Sequence, residues 1–276
     1  MYHAPTDLSD ALRIVAGKVD TVVAGGTDVF PSARQGRLPQ SILDVTTVAG
    51  LNEITHGSEG TRIGAAATWS QIINTDLPPA FDALKEAARE VGSVQIQYAG
   101  TIAGNLCNAS PAADGVPPLM ALDASVELES QARGKRVLPL NEFLLGVRHT
   151  ALADDELVTA VLIPPMSDKF GSAFEKLGSR RYLVISITMT AAVIALDARG
   201  TIAQARVSIG ACSPVAQRMT MLEDLLIGQF PNDVVVRPEM LPSLLPIDDV
   251  RGTREFRLDV VAEQCARAIR RAAAHE

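Results

Sequence analysis

Apolar positions recur with helical spacing near the start of the chain, where Leu8, Ala11, Leu12 and Val15 share one face. Thr6 precedes them as a capping residue and Gly17 follows as a stop, so a helix is expected between. β-Branched runs then change the period. Thr21 to Ala24, Ile42 to Val45 and Ile63 to Ala67 read as short strands, and Thr68 can cap a helix through Trp69 and Ile72. Phe81 to Val91 places Phe81, Leu84, Ala87, Ala88 and Val91 along one helical stripe, with Gly92 after it. Leu119 to Leu122 reads as a helix end, while Val126 to Leu128 and Val137 to Leu140 are expected to pair as strands around Ser130 to Lys135.

A strand from Leu157 to Ile163 ends at Pro164-Pro165, and polar Met166 to Lys169 continue as a linker. The domain boundary is expected there, dividing the chain into residues 1–166 and 167–276. Beyond it, Ile185 to Leu196 and Ile202 to Ile209 flank Asp197-Ala198-Arg199-Gly200, a hairpin signature. Ser213-Pro214 predicts the start of a helix that ends near Gly228, and a last helix is expected from Leu258 to Ala273. Pro231 to Val250 is proline-rich and without period. An antiparallel sheet packed on helices follows for the second part, and α+β for the whole.

Composition narrows the class. A chain of 276 residues with 47% hydrophobic and 21% charged residues folds around a substantial core. A formal charge of −7 disfavours nonspecific binding to nucleic acid or anionic membrane. Cys107, Cys212 and Cys265 are too scattered for a disulfide framework, a zinc site or an iron–sulfur cluster in this chain, which favours a reduced cytoplasmic setting. The longest apolar stretch, Leu183 to Leu196, is broken by Ser186, Thr188 and Thr190 and falls short of the roughly 20 residues of a membrane span. No basic-then-apolar leader opens the sequence.

The candidate chemistry lies in two glycine-bearing segments. Gly100 to Asp114 is a run of small, hydroxyl and amide side chains, including Thr101, Asn105, Asn108 and Ser110. Such a run lets backbone approach a ligand, and Glu90 to Ala132 contains no Lys, Arg or His. An anion held there is gripped by amides and helix ends, a description that a nucleotide pyrophosphate fits. Upstream, the strand at Val22 and Val23 runs into Ala24-Gly25-Gly26-Thr27-Asp28-Val29. Its spacing is neither G-x-G-x-x-G nor a Walker A loop. Asp28 and Asp114 each read either as a structural turn or cap aspartate or as an acceptor for a ligand hydroxyl, with turn stabilisation favoured at Asp28. Glu175-Lys176 and Gly178-Ser179-Arg180-Arg181-Tyr182 form a solvated cationic edge or, at a domain junction, a stabiliser of ligand charge. His3, His56, His149 and His275 have no metal-ligand spacing, and Ser110 lacks the G-x-S-x-G elbow of a hydrolase.

Ala24-Gly25-Gly26-Thr27-Asp28, Thr101-Ile102-Ala103-Gly104-Asn105 through Asn108-Ala109-Ser110-Pro111-Ala112-Ala113-Asp114, and Phe174-Glu175-Lys176 after the Ile163-Pro164 strand end occur in an order that resembles the flavin-binding medium subunit of the molybdenum hydroxylases. The resemblance covers nearly the whole chain. It implies a two-lobed FAD-binding N-terminal domain and a smaller C-terminal domain with an antiparallel sheet packed on helices. It further implies that Val22 to Val29 and Thr101 to Asn105 line the cofactor, that Asp114 binds its polar portion, and that Val91 and Val158 make apolar contacts. Lys176 matches a lysine near the flavin ring, with a tuning role. Expected partners are a small subunit with two [2Fe–2S] clusters, a large molybdenum-pterin subunit and an external electron acceptor. A stand-alone FAD-dependent oxidoreductase and a nonenzymatic nucleotide-binding module are the alternatives. Two departures stand out: Ala103 replaces a frequent glycine, and Gln97-Tyr98-Ala99 replaces a frequently basic stretch. The extra cysteine insertion of some relatives is absent.

Overall fold

The computed structural model describes residues 1–33, 39–180 and 183–274; Arg181, Tyr182 and His275 lie outside them. The first lobe holds three parallel strands in the order Tyr2–His3, Ile42–Asp44, Thr21–Val23. The helix Leu8–Ala16 turns Ala11, Leu12 and Val15 onto Leu43, Val45 and Leu51. Its cap is Asp7 and not Thr6: the Asp7 carboxylate accepts from the Asp10 amide at 2.9 Å, one residue closer to the first helical turn. Gly17 ends the helix as expected.

The second lobe is a five-stranded antiparallel sheet in the order Ile54–Gly57, Gly60–Gly64, Glu156–Ile163, Ser125–Ser130, Gly134–Pro139. The strand expected at Ile63 to Ala67 instead ends at Gly64. There the backbone turns away so that Ala65 donates to Thr159 O and Ala66 to Leu51 O. Thr68 and Gln71 form a reciprocal capping box on the helix Trp69–Asn74. The helix Asp82–Glu90 buries Leu84, Ala87 and Ala88, and Gly92 beyond it adopts a positive φ of 57°. Trp69, Phe81 and Phe143 are fully buried here, each contributing roughly 1.5–3 kcal/mol of transfer free energy.

The remaining sheet is antiparallel in the order Phe170–Leu177, Thr188–Leu196, Ile202–Gly210, Gln217–Arg218, with the Asp197 to Gly200 hairpin as expected. Its second strand is buried on both faces. Met189, Ala191, Val193 and Ala195 join the central core, whereas Ala192 and Ile194 join the core formed with the helix Arg254–Ala273. The two-residue period of the strand thus divides one sequence between two cores. No helix starts at Ser213-Pro214. The Ser213 hydroxyl donates to Cys212 O and accepts from the Leu245 amide, which fixes this turn against the 241–245 segment. The helix begins only at Thr220 and runs to Leu226.

The sheet's outer strand, Phe170–Leu177, lies along the helix Asp82–Glu90. Ser172 Oγ accepts from the Ala83 amide at 2.8 Å and donates to Pro79 O at 2.9 Å. The Phe174 amide donates to Glu86 Oε2 at 2.7 Å. The Glu86 carboxylate and the backbone at Pro79 and Ala83 therefore cover this edge where a further strand would otherwise pair.

Candidate functional site

The strand Thr21–Val23 delivers the chain into Ala24-Gly25-Gly26, where Gly26 takes a φ of 65°. That left-handed residue is tolerated because glycine has no Cβ; one placed there would meet the Phe30 ring at 2.4 Å. Among the described residues, no backbone carbonyl accepts from the amides of Gly25, Gly26, Thr27 or Asp28. Successive free N–H groups around a left-handed residue form a concave anion-binding nest.

Across from this loop stands the helix Ile102–Asn108, which forms within the small-residue run Gly100 to Asp114. Thr101 is its cap: the hydroxyl accepts from the Gly104 amide at 3.1 Å. Three further amides of the segment are also engaged, Ile102 with Ala67 O, Ala103 with Ala65 O and Asn105 with Thr101 O. Most of the unengaged amides therefore come from the upstream loop, while the helix offers small side chains and a close wall.

Between loop and helix is a cleft of about 480 Å³. Val22, Ala24, Gly25, Gly26, Thr27, Asp28, Val29, Val91, Thr101, Gly104 and Asn105 line it, together with Asn108 and Cys107. Val23, Ile102 and Ala103 are buried behind the wall, and Val158 is buried in the strand Glu156–Ile163. Gly100, the first residue of the small-residue run, also lines the cleft, as do Trp69 and Ile96, which the sequence pattern did not select. The adjacency of Trp69 to the capping Thr68 was the available signal. Ile96 sits on a short helix, Val94–Ala99, whose residues are all at least partly exposed and so carry no apolar period.

A second cleft, about 530 Å³, opens beside the first. Val91 lines the first and Glu90 the second, so the two share a wall at the end of the helix Asp82–Glu90. Lys176, Gly178, Arg180 and Val184 line the second from the outer strand and the segment after it. Lys176 is not a solvated edge. Its Nζ lies 2.7 Å from Asp114 Oδ2, and both side chains are less than a tenth exposed. The ammonium also donates to Glu90 O at 3.2 Å, capping the helix where cations are favoured. Burial pushes the Asp114 carboxyl above its ordinary range, opposed by Lys176 and by the Ser186 hydroxyl at 2.5 Å. The Glu90 carboxylate pushes in the same direction as burial.

Outside the clefts, His56 Nδ1 pairs with the Thr61 hydroxyl at 2.7 Å. Among the described residues, no group of three or more His, Cys, Asp or Glu side chains could hold a metal ion. No described helix is long and apolar enough to cross a membrane.

Residues 1–166 match the family described as the FAD binding domain in molybdopterin dehydrogenase, and residues 172–272 the CO dehydrogenase flavoprotein C-terminal domain. Fold and sequence together define a flavoprotein chain. It belongs to the FAD-binding subunit family of the molybdopterin dehydrogenases. The chain is 30% identical to the xanthine dehydrogenase FAD-binding subunit of Escherichia coli O157:H7, over 99% of this chain and 96% of that relative. It is 25% identical to the carbon monoxide dehydrogenase medium chain of Hydrogenophaga pseudoflava, over 97% and 95% of the two chains. Among solved structures, reconstituted CO dehydrogenase from Oligotropha carboxidovorans superposes with a TM-score of 0.90 at 25% identity, covering 100% of this chain and 98% of that one.

Proposed function

We propose that this chain binds FAD noncovalently and serves as the electron-relay subunit of a cytoplasmic molybdenum hydroxylase. Its partners in this reading are an iron–sulfur small subunit and a molybdenum-pterin large subunit, and an external acceptor takes the electrons. The observation that carries the reading is the row of amides from Gly25 to Asp28, uncommitted among the described residues, facing a capped helix across a cleft that no described Lys, Arg or His lines. A diphosphate needs such a cradle, and its backbone shape requires glycine, since a Cβ at Gly25 would strike the Ala99 carbonyl and one at Gly26 the Phe30 ring.

In this arrangement Gly25 to Asp28 hold the pyrophosphate, Thr101, Asn105 and Asn108 offer hydrogen bonds to the polar chain, and Val91 supplies an apolar contact. Bound flavin supplies the capacity to accept and release electrons. Lys176 tunes it from the neighbouring cleft, its charge held in place by Asp114 and Glu90 O.

Trp69 is the only tryptophan in the chain and lines the cleft, so it reports occupancy directly. FAD added to the purified chain is expected to quench its fluorescence saturably and to bring visible flavin absorbance through gel filtration. A chain that neither quenches nor retains colour would rule the reading out. Copurification with molybdenum and iron tests the assembly.

A further inference from the structure

Three side chains from separate segments meet out of water where the two parts of the chain join. Asp114 stands before the helix Val116–Ala121, Lys176 near the end of the strand Phe170–Leu177, and Ser186 just ahead of the strand Thr188–Leu196. Asp114 is 8% exposed and Ser186 3%. Each carboxylate oxygen has its own donor: Lys176 Nζ reaches Oδ2 at 2.7 Å, and the Ser186 hydroxyl reaches Oδ1 at 2.5 Å. Among the described residues, the Glu90 carboxylate also acts on Asp114, its charge opposing that of Lys176.

The two donors do different work. Lys176 is a cation shared between Asp114 and the Glu90 carbonyl, whereas Ser186 is neutral and, among the described side chains, bound to Asp114 alone. Without the hydroxyl, Oδ1 becomes a buried oxygen lacking its donor, a loss that falls harder on the charged carboxylate than on the neutral acid. The carboxyl then takes a proton from water at a higher pH. A protonated Asp114 no longer offsets the ammonium, and the Lys176 charge acts in full on whatever occupies the adjoining cleft.

We propose that Ser186 is a positioning residue: by holding the Asp114 carboxylate on Lys176, it sets how much of the lysine charge reaches the bound flavin. The proposal rests on the FAD reading above and adds a residue outside both the glycine loop and the capped helix.

Full-length chain, wild type and with Ser186→Ala or Ser186→Thr, provides the test through two measurements. One is the midpoint potential of bound flavin across pH. The other is the ¹³C shift of the Asp114 side-chain carboxyl against pH in FAD-free chain. Ser186→Ala is expected to raise the midpoint over the pH range in which its carboxyl, but not that of wild type, is protonated. Its carboxyl titration moves to higher pH, and Ser186→Thr, which keeps the hydroxyl, returns both readouts toward wild type. A merely structural role would lower stability without moving either. Wild-type potential at every pH, or an unmoved carboxyl titration, in Ser186→Ala overturns the proposal. If Ser186→Ala takes up no FAD, the titration alone decides. If wild type takes up none, the FAD reading fails, and the titration still judges the Ser186–Asp114 contact.

Discussion

Gly25 and Ala99 are packed backbone against backbone: a Cβ on Gly25 would stand 1.8 Å from the Ala99 carbonyl oxygen and 2.9 Å from Gly100 Cα. This contact sets how closely the amide-bearing loop approaches the segment leading into the capped helix. Main-chain atoms cannot rotate aside as a flexible side chain can. Gly25→Ala is therefore expected to cost about 1–3 kcal/mol of stability and to weaken FAD binding at least about tenfold, the equivalent of ~1.4 kcal/mol. Denaturant melts and an FAD titration followed by Trp69 fluorescence check the two effects separately.

The buried Lys176–Asp114 pair predicts opposite effects on flavin potential from its two members. Lys176→Met removes a cation and should lower the midpoint by about 30 mV or more, where 30 mV is ~1.4 kcal/mol for a two-electron couple. Asp114→Asn leaves the cation unbalanced and should raise it. Breaking a buried pair also costs about 3–5 kcal/mol, so both variants should melt earlier. Spectroelectrochemical titration decides the sign, and equal potentials in all three proteins would remove the pair from cofactor tuning.

Acid stability should depend on Glu156. Although its burial raises the carboxyl, Arg136, the Ala153 amide and Arg133 together hold it down at about 2, against an ordinary 4.5. A depressed folded-state value means the stabilisation is present above pH 4.5 and lost as pH falls from there through about 2. Glu156→Gln is expected to cost about 1.5–3 kcal/mol at neutral pH, the range for hydrogen bonds to a charged group. Denaturant melts at neutral pH and near the bottom of that window should show the gap between wild type and variant shrinking on acidification.

Thr101 should matter through its hydroxyl alone. Thr101→Ala removes the acceptor for the Gly104 amide, and loss of such a cap typically costs about 1 kcal/mol. For a chain of this size that corresponds to a fall of roughly 2–4 °C in Tm. Thr101→Ser should retain most of the stability in a calorimetric scan.

Much of this architecture was legible in the sequence because local signals agreed. Thr68 before Trp69, the apolar stripe of Phe81 to Val91 and the Asp197 to Gly200 hairpin each combine a terminus with a period. Ser213-Pro214 misled because its local capping chemistry was taken up by a distant partner, the Leu245 amide. The glycine loop and Thr101 pointed to the cleft through residue type. The direction of the Ile102 and Ala103 amides, away from the cleft and toward Ala67 and Ala65, depends on the fold of another segment and leaves no mark in their own sequence. Ser186 was hidden for the same reason: it sits in an apolar stretch, and its partner is 72 positions away.

The helix laid along the strand Phe170–Leu177 has a consequence for how the molecule can be taken apart. Severed near the 166–169 segment, the later half would lose Glu86 and Pro79 as partners for Phe174 and Ser172 and bare a raw sheet margin, an open invitation to intermolecular zippering. The halves thus share one soldered seam, with the buried Lys176–Asp114 pair sitting on the solder line.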